Sequence, residues 1–112
     1  MRLVTYHPMV MSVETDVLRV LADPLRARIV TLLADEALCT CHLVEETGAR
    51  QTNISNHLRV LKDAGLVESE PCGRFTYYRL LPEALDALAA RLGDLATRAR
   101  ATRANGTRRP CP

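Results

Sequence analysis

Apolar residues recur along most of this chain at three- and four-residue intervals, the spacing that lays one oily stripe along an α-helix. Val13, Val17, Leu18 and Leu21 give the first stripe, with Ser12 placed to cap it. Asp23-Pro24 closes that helix and opens the next, because aspartate caps a helix start and proline suits its first position. Leu25, Ile29, Leu32 and Leu33 form the second stripe, which ends near Ala34-Asp35. A short third segment, 38–47, carries Leu38, Leu43 and Val44 and stops at Gly48. Ile54, Leu58 and Leu61 form the fourth stripe, and Gly65 stands where that helix should end. Its opposite face is polar and holds no acid from Ala49 through Lys62.

The period then changes. Residues 66–70 and 75–80 read as two strands joined by Pro71-Cys72-Gly73-Arg74, with Gly73 free to take positive φ. Pro82 opens a last helix in which Leu85, Leu88, Ala89, Leu92 and Leu95 keep helical spacing through about Ala101. The pattern therefore predicts a mainly α fold with a β-hairpin wing, in the order α-α-α-α-β-β-α. Two helices around a glycine, the second polar and basic outside, match a DNA-reading helix-turn-helix. The last helix is rich in small residues (Ala84, Ala87, Ala89, Ala90, Ala96), which let a second helix approach closely. A homodimer paired through its terminal helices would then present two reading helices to two half-sites of double-stranded operator DNA.

A length of 112 residues fits one domain. The expected division is an N-terminal extension (1–11), a winged helix-turn-helix domain with dimerising terminal helices (12–97) and a basic, flexible tail (98–112). The formal net charge of +2 says little until its distribution is seen: Arg98, Arg100, Arg103, Arg108 and Arg109 lie in the tail, and every acid lies before them. No apolar run approaches the roughly 20 residues of a membrane span. The start of the chain lacks the apolar stretch of a secretory signal. The expectation is a cytoplasmic protein with no membrane partner. A glycine-rich phosphate loop and a nucleophile–base arrangement are both missing from the sequence, which argues against an enzyme.

The residues opposite the apolar stripe of the fourth helix are candidates for reading DNA. Gln51, Asn53 and Asn56 can pair with adenine edges, and Thr52 and Ser55 suit bases or phosphates. Arg50, Arg59 and Lys62 suit phosphates, and Arg74 sits at the wing tip. His57 falls beside the apolar stripe and reads as a packing residue, and alternation along the strand puts one of Tyr77 and Tyr78 in the core.

Four cysteines remain: Cys39, Cys41, Cys72 and Cys111. In a reducing compartment such residues point to metal or redox chemistry more than to a disulfide scaffold. Cys39 and Cys41 look too close in sequence for an easy mutual disulfide. Two thiolates suit a soft, thiophilic ion. On a regular helix, residues i and i+2 point about 200° apart. If the pair sits where the third helix begins, sharing one ion should therefore distort the support beneath the reading helix.

Leu21-Ala22-Asp23-Pro24-Leu25-Arg26-Ala27-Arg28-Ile29, the run from Asn53 to Val67 and the wing segment Gly73 to Leu80 together resemble the ArsR/SmtB family of metal-sensing repressors, in the right order. Leu38-Cys39-Thr40-Cys41-His42-Leu43 resembles the cysteine-pair element of the arsenic-sensing and cadmium/lead-sensing branches. The resemblance implies a homodimer that binds its operator without ligand and releases it when the ion binds. It favours As(III) or Sb(III) as inducer, with Cd(II) or Pb(II) as the alternative. Arsenic-sensing relatives can carry a further cysteine where this chain has Val44, and no cysteine precedes Cys39. Cys111, from either subunit, is then the favoured third ligand beside Cys39 and Cys41. Cys72, water or a small thiol are the other options. A regulator that responds to thiol oxidation, or to no ligand, is the competing reading.

Overall fold

The computed structural model of the chain describes residues 13–112. The expected Ser12 cap and the 1–11 extension lie outside that range. The elements run α1 (Val13–Leu21), α2 (Pro24–Leu33), β1 (Leu38–Cys39), α3 (Thr40–Thr47), α4 (Gln51–Asp63), β2 (Val67–Cys72), β3 (Phe75–Leu80) and α5 (Pro82–Asn105). This is a winged helix-turn-helix with one strand more than the sequence pattern gave.

Local chemistry fixes the joints. Asp23 caps α2: its Oδ1 accepts the backbone N–H groups of Leu25 at 2.9 Å and Arg26 at 3.0 Å, and Pro24 occupies the first helical position. Gly48, at φ 75°, ends α3 in the left-handed conformation that a side chain resists, which turns the chain into α4. Ile54, Leu58 and Leu61 bury α4 against Val17, Ile29, Leu33, Leu43, Leu66 and Val67. Each such side chain contributes about 1.5–3 kcal/mol. The buried stripe leaves the polar face of α4 outward.

The extra strand, β1, is two residues long, too short for any periodicity to reveal. It pairs antiparallel with β3, so the sheet order is β1-β3-β2. The hairpin turn is tighter than expected. Cys72 pairs with Phe75, leaving Gly73 (φ 62°) and Arg74 as the loop, and Pro71 and Cys72 belong to the edge strand β2, where a missing N–H is tolerated. Tyr78 packs on the core and Tyr77 is half-buried beside it, so neither ring is fully interior.

α5 corrects the expected tail. Residues 98–105 are helical, and the helix ends at Gly106 (φ 64°). Alanine and arginine are strong helix formers, and an i,i+4 pair between Asp94 and Arg98 spans the expected boundary at 97. Leu88 is the last buried residue of α5; Leu92 and Leu95 are 47% and 43% exposed.

Candidate metal(loid) and DNA-binding site

The cysteine pair sits at the joint between β1 and α3. Cys39 is held on two sides: its backbone pairs with Tyr77 across the sheet, and it is the N-cap of α3 with extended backbone (φ −88°, ψ 168°). Cys41 lies in the first turn of α3. The helical 200° divergence therefore does not apply, because only one of the two residues is helical. Their Cα atoms are 5.4 Å apart, inside the usual disulfide range, and the two sulfurs are joined. One expectation is corrected here: the pair does form a mutual disulfide, with Cys39 at the N-cap of α3.

His42 completes the arrangement. As the third residue of α3, its Nδ1 accepts the Cys39 backbone N–H at 3.1 Å, a capping-box contact. The same nitrogen lies 3.3 Å from Cys39 Sγ, and the ring packs 6.0 Å from that of Tyr77. Cys39, Cys41 and His42 place their ligand atoms within 4.8 Å of one another. Two sulfurs and an imidazole form a donor set for a soft ion, so the residues fit a thiophilic metal or metalloid once the disulfide is reduced. Because Nδ1 already holds the Cys39 N–H, His42 braces the pair; ligation through it would break that bond. The spacing Cys39–His42 carried this signal, as a cap residue followed three positions later by an acceptor. Cys111 and Cys72 are free and exposed, and neither belongs to the cluster within one chain.

Cys39 is 3% exposed, whereas Cys41 opens into a cleft of about 370 Å³. Its other walls are Gln51, from the first turn of α4, and Arg74, Phe75, Thr76 and Tyr78, from the wing. The β1–β3 pairing brings these together, by laying the cysteine joint alongside the strand that carries the wing tip.

Arg50, Gln51, Thr52, Asn53, Ser55, Asn56, Arg59 and Arg74 are all exposed. Arg59 Nη2 donates to Asn56 Oδ1 at 2.6 Å, which orients both along α4. Lys62 instead donates to Ser69 Oγ at 2.9 Å, tying α4 to the wing. His57 is a packing residue: its Nδ1 lies 3.1 Å from an Arg26 Nη1, and Arg26 Nε donates to the Val20 carbonyl at 2.7 Å.

Residues 23–69, from the cap of α2 through α4 into β2, match the family model for bacterial regulatory proteins of the arsR family. The chain is 38% identical over 81 residues to an arsenical resistance operon repressor of Escherichia coli, covering 71% of this chain and 68% of that protein. The chain belongs to the ArsR family. An arsenic resistance transcriptional regulator of Pseudomonas putida is 43% identical over 68 residues, which are 60% of this chain and 53% of that protein. This ArsR-family chain thus spans about half the length of some of the curated relatives it matches. Among solved structures, a possible transcriptional regulator for arsenical resistance superposes with a TM-score of 0.66 at 42% identity, over 71% of this chain and 83% of that one. These relatives are transcriptional regulators, not enzymes. No helix among the described residues is long and apolar enough to cross a membrane.

Proposed function

We propose that this ArsR-family protein is a homodimeric repressor that holds operator DNA with α4 and the wing and releases it when a thiophilic metal(loid), As(III) or Sb(III) first, binds Cys39 and Cys41. The observation that supports the reading is the shared cleft: Cys39 and Cys41 line it together with Gln51 and Arg74, two of the residues assigned to DNA. The names of the relatives, arsenic and arsenical resistance regulators, support the choice of ion. Bound trivalent arsenic or antimony would supply a thiolate-seeking centre. Once reduced, Cys39 and Cys41 would hold two of its positions. The third is open to Cys111 of either subunit or to a ligand from solution.

On the DNA side, Gln51, Thr52, Asn53, Ser55 and Asn56 read base edges, while Arg50, Arg59 and Arg74 take phosphates. The exposed leucines of α5 supply the dimer contact. Anything bound at the cysteine joint lies against the first residue of α4 and the wing tip, so release needs no long-range relay.

The joined sulfurs favour a second reading, in which oxidation itself is the signal. Hydrogen peroxide would take two electrons and two protons from the two thiols, leaving the S–S bond and two waters. One assay separates the two. Operator binding by the reduced protein is followed by fluorescence anisotropy against arsenite, antimonite, Cd(II), Pb(II) and, separately, hydrogen peroxide. Release by arsenite or antimonite supports the first reading. Release by Cd(II) or Pb(II) alone moves the assignment to those ions. Release by peroxide alone, or by nothing, refutes it.

A further inference from the structure

We infer that the third position of a trivalent metalloid on Cys39 and Cys41 is filled by a small carboxylate-bearing thiol from solution, seated in the wing cleft with its carboxylate on Arg74. This rests on the ion-sensing reading above and asks how the site is completed.

Sulfur supply is the first observation. Trivalent arsenic forms three bonds, and the described residues bring only two sulfurs together. Cys72 is exposed on the wing, and Cys111 lies beyond Gly106 at the far end of a 24-residue helix. At 1.5 Å per residue that helix is about 36 Å long.

Space is the second. The exposed sulfur of Cys41 faces a cleft of about 370 Å³, within the range of small-molecule sites. That is far more than a hydroxide or a water needs.

The lining is the third, and it selects the chemistry. No acid lines the cleft. Asp35, Glu36, Glu45 and Glu46 gather instead around a separate pocket beside His42 and Tyr77. Arg74 brings a guanidinium that makes no ion pair or hydrogen bond among the described residues. Thr40, Thr76 and Gln51 add hydrogen-bonding groups, and Phe75 and Tyr78 add apolar wall. A short chain with a thiol at one end and a carboxylate at the other matches this order: sulfur toward the cysteines, carboxylate toward the guanidinium fork. Two equivalents of a solution thiol first reduce the Cys39–Cys41 disulfide to two thiols and are themselves joined as a disulfide; the metalation that follows involves no redox change. Three As–O bonds of arsenous acid are replaced by three As–S bonds, and the three thiol protons leave with the three hydroxides as water.

The arrangement also supplies a reason for release. A carboxylate on Arg74 occupies the cation that otherwise faces a DNA phosphate, and the ligand body stands against Gln51. The same two residues cannot serve the ligand and the operator together.

The test uses the reduced full-length chain carrying Cys72→Ser and Cys111→Ser, kept reduced by a phosphine and loaded with arsenite. X-ray absorption counts the sulfurs on arsenic, with 3-mercaptopropionate or the neutral 2-mercaptoethanol as probe. Two sulfurs and one oxygen are expected without thiol, and three sulfurs with 3-mercaptopropionate. Equilibrium titration of the loaded protein should show 3-mercaptopropionate binding about fivefold tighter than 2-mercaptoethanol, the worth of one exposed ion pair. Arg74→Gln should erase that difference. Equal binding of the two probes, or a preference that survives Arg74→Gln, overturns the inference. So does a third sulfur without added thiol in the unsubstituted chain that disappears with Cys111→Ser. An arsenic that gains no sulfur in any arm overturns the ion-sensing reading itself.

Discussion

At the scale of single residues, a few side chains hold two helix starts in place. The Arg26 backbone N–H is the largest influence holding the Asp23 carboxyl below its ordinary value of 3.8; partial desolvation opposes it, and the Leu25 N–H and the charges of His57 and Arg26 add to the lowering. A carboxylate depressed in the folded state stabilises fully above its unfolded value, and that contribution disappears as pH falls through the depressed one. Asp23→Ala should therefore lower the melting temperature near neutral pH, and the gap from wild type should close as pH drops below 3.8. A gap that stays constant with pH would rule out the charged cap as its source. His42 has the matching role at α3. His42→Ala removes the acceptor for the Cys39 N–H, and urea unfolding of the reduced protein should show a loss of about 1 kcal/mol. No loss would mean that the contact does not brace the pair.

Helices and strands were unequally legible. The five helices could be read because each has apolar residues at helical spacing in the sequence, and chemical stops mark the ends of the first four: Asp23-Pro24 between the first two, Ala34-Asp35 after α2, Gly48 after α3, Gly65 after α4. β1 could not, because two residues carry no period, and its pairing with β3 is a long-range contact that no local pattern encodes. That strand sets Cys39 in extended backbone and turns an unfavourable i, i+2 spacing into a converging pair. The sequence thus singled out Cys39 and Cys41 as a pair, while their place beside Gln51 and the wing was not legible in it. The length of α5 was also missed, because its end has no buried face to mark it, only Gly106. The seating of α4 is open to direct test. Leu58 is 1% exposed, and Leu58→Ala should cost about 2–5 kcal/mol in denaturant unfolding. A cost below about 1 kcal/mol would show that α4 is not anchored by this stripe.

At the scale of the whole molecule, α5 carries two exposed leucines, Leu92 and Leu95, among the described residues. Leu18 of α1 is 49% exposed as well. A second subunit is the proposed cover. Leu92→Glu with Leu95→Glu should give a monomer by sedimentation and weaken operator binding at fixed protein concentration, since one reading helix then acts alone. A double variant that stays dimeric would place the interface elsewhere. The central claim, that sulfur chemistry at the β1–α3 joint controls the grip on DNA, is tested most directly by Cys39→Ser with Cys41→Ser. Operator affinity of the reduced double variant is measured with and without saturating arsenite. The account expects wild-type affinity in its absence and no weakening in its presence, against a clear loss for the parent. A double variant that still releases its operator when arsenite is added would contradict it.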